Sequence, residues 1–404
     1  MINNRKLILD THCEVYDMIK DRADGIFWNL EQHVQKNEIV NGAIYVIGRE
    51  QALLHSTLVH DLVKSNNISI VYSNPNEGSE PMEWNLLSSG YTDLLTQRQM
   101  IVVTGGDINP AYTQLLYENF LCKIHDYNEN MQAVQEYADK QQANRPYKFL
   151  FLNGRLREHR KYLLHRFRDT GLINEILWTN LDSSIGVGAS PGVLTAQTHN
   201  GLNLVYHGRA IRNDTFPVKY LPARYEVSRY RDRVIDTVTN LPTDCYAPKK
   251  KQILAKEYLF KNEWGEIYLS PEPYLDTYFS LVSETGFMLN RSFRTEKIWK
   301  PIAIGHPFIV ASNQGYYKDL QNLGFRTFNH LIDESFDTID NNQDRIDRIV
   351  SIVEDLCRQD LPSFVTSAQE TCKYNQALLE ELGPKLCQEF PDRLFQFINQ
   401  NFNE

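Results

Sequence analysis

Short runs of β-branched and aromatic residues recur along this chain with helical stretches between them, and that alternation narrows the folds open to it. Ala43 to Ile47 and Ile68 to Tyr72 read as buried strands, with a helical stretch from Gln51 to Lys64 between them. Met100 to Val103 makes a third strand and ends in Thr104-Gly105-Gly106-Asp107. Strands that alternate with helices imply a parallel sheet joined by right-handed crossovers. The pattern begins again at Tyr147 to Leu152, and returns at Tyr278 to Ser283 and His306 to Ala311. At 404 residues the chain exceeds the usual size of one core. The expectation is therefore an α/β protein of two Rossmann-like domains. The first covers residues 1–140, closing with a helix from Pro110 to Lys123 and a polar helical stretch. The second covers 147–375, with an irregular, proline-punctuated insertion at 183–251, and helices follow at 376–404.

The densest chemistry lies in the second domain. One strand ends on Ser283-Glu284-Thr285, a polar loop follows, and Thr295-Glu296-Lys297 opens an amphipathic helix. In open α/β sheets, ligands sit where strand ends meet helix starts, because free helix N–H groups and the dipole favour anions. Thr295 can cap the helix, Glu296 can hold a hydroxyl pair such as a ribose, and Lys297 can meet a phosphate. The strand from Tyr147 runs into Asn153-Gly154-Arg155-Leu156-Arg157 and a basic helix start, where Gly lets backbone approach a phosphate and Arg offers bidentate contacts. Carboxylates and a histidine after first-domain strands are candidates for a catalytic base: Asp107, Glu50 and His12. Between Tyr206 and Arg233, basic residues interleave with tyrosines, and Arg224, Tyr225 and Arg229 are candidate acceptor contacts.

The order strand, S-E-T, loop, T-E-K, helix, strand resembles the C-terminal donor domain of GT-B glycosyltransferases. It is most similar to the α1,3-fucosyltransferases and more loosely to exostosin-like enzymes. The resemblance implies two lobes facing across a cleft, with C-terminal helices crossing back over the first. It implies that Glu296 and Lys297 bind the ribose and diphosphate of a nucleotide-sugar donor. It also places Glu284 where that family has the glutamate of an F-E-N tripeptide, although this chain reads Ser283-Glu284-Thr285. The implied activity is transfer of a sugar to the hydroxyl of a glycan or a modified DNA base. A non-catalytic nucleotide- or glycan-binding protein of the same fold is the alternative. Fixed cations and a helix dipole can absorb the charge of the leaving diphosphate. With no D-x-D triad at a strand end, no metal and no cofactor is expected.

Composition bounds the partners. A net charge of -9 argues against broad attraction to nucleic acid. No apolar run approaches the roughly 18 residues that a membrane-crossing helix needs. The start of the chain lacks the apolar core of a signal peptide, so the expected location is cytoplasmic. The six cysteines form no C-x-x-C pair and read as reduced structural thiols.

Overall fold

The structure, a computed structural model, describes residues 5–124, 128–154, 157–180, 204–211, 216, 219, 221, 234–236, 252–254 and 269–402, with backbone only at 128–129, 234–236 and 252–254. The chain forms two compact units, residues 1–122 with 384–404, and residues 123–383. Each is built on an all-parallel sheet, so the α/β expectation holds in both.

In the first unit the strands are β1 (Leu7–Asp10), β2 (Gly25–Phe27), β3 (Ile44–Gly48), β4 (Ser69–Gly78), β5 (Met100–Gly105) and β6 (Gln114–Leu116), in the order β2-β1-β3-β4-β5-β6. The order reverses between β1 and β3, which makes a topological switch point there. Alternate residues of each strand enter different cores. Ile8, Tyr45, Ile47, Ile70, Tyr72, Met100 and Val102 pack with Leu62, Met82 and Leu86 from helices Ser56–Asn66 and Ser79–Ser88. Leu7, Leu9, Ile44, Val46, Val71, Ile101 and Val103 pack on the other side. Right-handed crossovers send the connections between β3, β4 and β5 to one face, and on the other the described residues place the short helix Tyr16–Ile19 together with Tyr117 and Cys122. That second face is closed by Phe390, Leu394 and Ile398, from the far end of the chain.

In the second unit, β7 (Tyr147–Phe151), β8 (Leu177–Trp178), β13 (Thr277–Ser283) and β14 (Phe308–Ala311) form a sheet in the order β14-β13-β7-β8. Two short antiparallel pairs occur as well: β9 (Val205–Tyr206) with β10 (Arg209–Ala210), inside the segment 183–251 expected to be irregular, and β11 (Val234–Asp236), also inside it, with β12 (Gln252–Leu254), just beyond it. Every residue of β13 and β14 is buried, as strands covered on both faces require. Helix Asn128–Asp139, which the sequence reading placed at the close of the first domain, belongs here: Tyr137 shares a core with Leu150, Leu177, Tyr274 and Ile304. The expected helix from Pro110 is β6 and then the short helix Asn119–Lys123. In place of several C-terminal helices there is one, Leu361–Asn401, with Pro384 and Pro391 inside it. Residues up to 383 belong to the second unit and those from 384 to the first. No helix among the described residues is long and apolar enough to cross a membrane.

One half-buried acid gives this unit a pH signature. Glu334 accepts hydrogen bonds from Thr327 Oγ1 and from the Phe328 backbone N–H, both at 2.7 Å. Burial, aided by Asp337 and Asp333, lifts its pKa to about 7. Its folded pKa lies above the unfolded one, so the stability it adds is complete below pH ~4.5 and is lost as pH rises to about 7. A Glu334→Gln variant keeps both partners, since an amide can accept from Phe328 and donate to Thr327. We expect the wild type to lose on the order of 3 kcal/mol relative to this variant between pH 4.5 and pH 8, by urea unfolding. Parallel pH curves would contradict this.

Candidate functional site

In the second unit the switch point falls between β7 and β13, and those of the nucleotide-sugar candidates that lie among the described residues gather at its carboxyl edge. The register pairs Phe279 with Phe149 and Ser280 with Leu150, and the same offset carries Asn153 alongside Ser283. Helix Glu158–Asp169 ties the two strand ends together: Arg160, 2% exposed, donates to the Ser283 carbonyl at 2.8 Å and the Glu284 carbonyl at 3.3 Å. His159 Nε2 lies 3.0 Å from the same Glu284 carbonyl and stacks on Phe287. Burial, with Arg160 and Arg157 nearby, holds His159 well below the usual imidazole pKa, so it stays neutral. Arg345 fixes the neighbouring loops by donating to the carbonyls of Ser312, Phe287 and Ile339.

Glu284 turns out to be framework. Its Oε1 accepts from the Thr295 N–H at 3.1 Å and the Tyr316 hydroxyl at 3.0 Å. Its Oε2 accepts from Thr295 Oγ1 at 2.6 Å and the Thr285 N–H at 3.2 Å. The residue is fully buried, and burial raises its pKa. All its accepting capacity is directed inward, which corrects the expectation that it reads a donor. Ser283 is corrected likewise: it is 1% exposed and its hydroxyl and carbonyl both serve Arg160. Glu284 instead sets the position of Thr295, and through it the start of the next helix, while Ser283 anchors Arg160.

That helix, Glu296–Ile304, is capped by Thr295, whose Oγ1 accepts from the Lys297 N–H at 3.4 Å. Its other end is closed by Gly305 at φ +76°, where a Cβ would strike Gln376 Oε1 at 2.6 Å. At the N-terminus Lys297 Nζ reaches Glu296 Oε1 at 2.5 Å, Thr295 Oγ1 at 3.0 Å and Thr285 Oγ1 at 3.5 Å. Burial pushes the Glu296 carboxyl up, but the ammonium groups of Lys297 and Lys300 outweigh it and hold the pKa below the usual value. Lys297 remains 24% exposed, so a cation, a hydroxyl and a helix start face one place.

Asn153, which the register sets alongside Ser283 just past β7, is 1% exposed. Its N–H donates to Thr179 Oγ1 at 2.8 Å and its Nδ2 to the Thr179 carbonyl at 3.3 Å, while its Oδ1 has no hydrogen-bond partner among the described residues. Buried acceptors rarely stay unmatched, so this atom is suited to a ligand donor. A Cβ on the half-buried Gly154 would meet nothing described within 4 Å, and Arg157 occupies the N-cap position of helix Glu158–Asp169 without a side-chain capping bond. Arg155, and the acceptor candidates Arg224, Tyr225 and Arg229, lie outside the described residues.

The first unit has its own polar edge at the β1/β3 switch point. Asp10, the last residue of β1, is fully buried and accepts from the Gly48 N–H and the His12 N–H, each at 3.0 Å. A Cβ on Gly48 would come within 3.1 Å of the Cys13 backbone and 3.3 Å of Asp10 Oδ2, so the glycine lets the two strand ends close up. Burial raises the Asp10 pKa against these hydrogen bonds and the His12 ring. His12 Nδ1 sits 3.6 Å from Asp10 Oδ1, with half of its side chain in solvent. Of the three base candidates only His12 is at the switch point with a carboxylate behind it. Glu50 is exposed in the first turn of helix Arg49–Leu54, where a carboxylate complements the dipole. Asp107 follows β5, two strands from β3, and its backbone carbonyl accepts from Ser79 at 2.6 Å.

Asp10, Arg345 and Tyr316 were not among the residues picked from sequence, and Arg160, read there as part of a basic, phosphate-binding helix start, is instead buried against the Ser283 and Glu284 carbonyls. Arg160 shares a helical face with Leu163, Leu164 and Phe167, which is a readable sign of burial. Asp10 closing an apolar strand before a histidine is a second such sign. Comparison of the chain with protein-family models, with characterised proteins and with solved structures gave no match.

Proposed function

We propose that this chain is a metal-independent glycosyltransferase of the GT-B type, moving a sugar from a nucleotide-sugar donor to an acceptor hydroxyl. The observation that carries the reading is the convergence of Lys297, Thr285, the Glu296 helix start and the open Asn153 acceptor at a topological switch point. The helix N-terminus and Lys297 would receive the diphosphate, with Glu296 released from Lys297 to take the ribose hydroxyls. As the bond from the anomeric carbon to the phosphate oxygen breaks, its electron pair stays on the diphosphate, where the ammonium stabilises it. The acceptor oxygen bonds to the anomeric carbon and its proton passes to the His12 imidazole, steadied by the Asp10 carboxylate. The two-lobed pairing of GT-B enzymes is part of this proposal, because His12 and Lys297 belong to different units. A thermal-shift panel of GDP-, UDP- and CMP-sugars tests it: at least one should raise the Tm, in EDTA as well as without it. Stabilisation by none of them would remove the reading.

A further inference from the structure

We propose that Trp28 is the platform on which a saccharide acceptor lies, with one of its hydroxyls presented to His12. The inference deepens the proposed transfer by naming the acceptor class, and it rests on that reading for the role of His12. Trp28 follows directly on β2, at the carboxyl edge of the sheet beside the switch point. It is 58% exposed, whereas Trp178 and Trp299 are buried and Trp84 is half-buried. An indole carries a broad apolar face and a polar N–H edge, the combination that suits an aromatic to a binding surface when its surroundings fix it in place. Here they do. Gln51, 6% exposed, donates to the Trp28 carbonyl at 3.1 Å and accepts from the Leu30 N–H at 3.0 Å. Asn29 caps the following helix by accepting from the Gln32 N–H at 2.9 Å, and the Thr11 N–H donates to the Phe27 carbonyl at 2.9 Å. The indole N–H donates to Gln32 Oε1 at 3.3 Å.

The ring centroids of Trp28 and His12 are 6.0 Å apart and their planes are inclined by 52°. A sugar ring has an apolar C–H face and a rim of hydroxyls. Laid on the indole, it would turn that rim toward the imidazole, which needs a hydroxyl to act as a base. A nucleic-acid acceptor could stack on the same indole, but its phosphates would approach a chain of net charge -9, with Glu31 in the first turn of the helix that follows Trp28.

Saturation-transfer NMR of the full chain with a panel of methyl glycosides (hexoses, N-acetylhexosamines, deoxyhexoses and pentoses) and with an oligothymidine tests the proposal. At least one glycoside class should receive saturation at its C–H protons. Trp28→Ala should weaken that binding about tenfold, Trp28→Phe should restore part of it, and His12→Ala should leave it in place. In transfer assays the Trp28→Ala loss should fall on the acceptor KM and the His12→Ala loss on kcat. Equal binding by wild type and Trp28→Ala, silence across all the glycosides, or contact with the oligothymidine alone would overturn the proposal. Saccharide contact is read without any donor, so failure of the nucleotide-sugar panel leaves this result separately legible.

Discussion

Replacing Lys297 with alanine should lower sugar transfer by a hundredfold or more and abolish the thermal shift given by the donor. Removing one fixed charge or donor aimed at a developing anion costs roughly that much, because the site is already oriented before the reaction begins. The fold should survive. Lys297 is partly exposed, and its loss spares the four hydrogen bonds by which Glu284 holds Thr295, Thr285 and Tyr316. A Lys297→Ala protein with normal far-UV circular dichroism and undiminished transfer would show that the leaving diphosphate is stabilised elsewhere. Lys297→Arg separates charge from shape: partial recovery is expected if a cation is the requirement, since Arg keeps the charge but not the compact ammonium.

Ending the chain after Gly383 should unfold the first unit. Phe390, Leu394 and Ile398 are fully buried against Leu7, Leu9, Ile44, Val46 and Val103, and Tyr117 meets Phe390 at 4.2 Å between ring centroids. Truncating a single buried Phe or Leu costs about 2–5 kcal/mol, and a whole domain holds only about 5–15. Arg22 also pairs with Asp392 at 2.6 Å, and Arg393 donates to the Leu116 carbonyl at 3.3 Å. Hydrogen exchange is the direct measure. Amides of β1, β3 and β5 should lose protection in the shortened chain, and retained protection would show that this face tolerates water.

The helix-start part of the second unit's candidate site was legible in the sequence because Thr295, Glu296 and Lys297 are neighbours along the chain, whereas Asn153 comes beside Ser283 only through the pairing of β7 with β13. Thr295 capping a helix and Lys297 in its first turn are local facts that spacing alone conveys. The direction in which a carboxylate points is not local. Glu284 reads as a ligand group in S-E-T, yet Tyr316 and Thr295, which come later, supply the donors that turn it inward. The same holds for Asp10, whose partner Gly48 is 38 residues away. The strands were found where β-branched residues cluster, and the errors came where register and length decide. A short edge strand such as Gln114–Leu116 exists only because β5 lies beside it to pair with.

The cover on the second face of the β1 to β5 sheet has a consequence for synthesis. The strands that need Phe390, Leu394 and Ile398 are translated before residues 123–383, and at about 5–20 residues per second that interval lasts on the order of ten seconds to a minute. During it a growing chain carries a bare apolar flank. Such a nascent protein is a natural client for a chaperone at the ribosome exit, and slow final closure through contacts this remote in sequence is the expected folding signature.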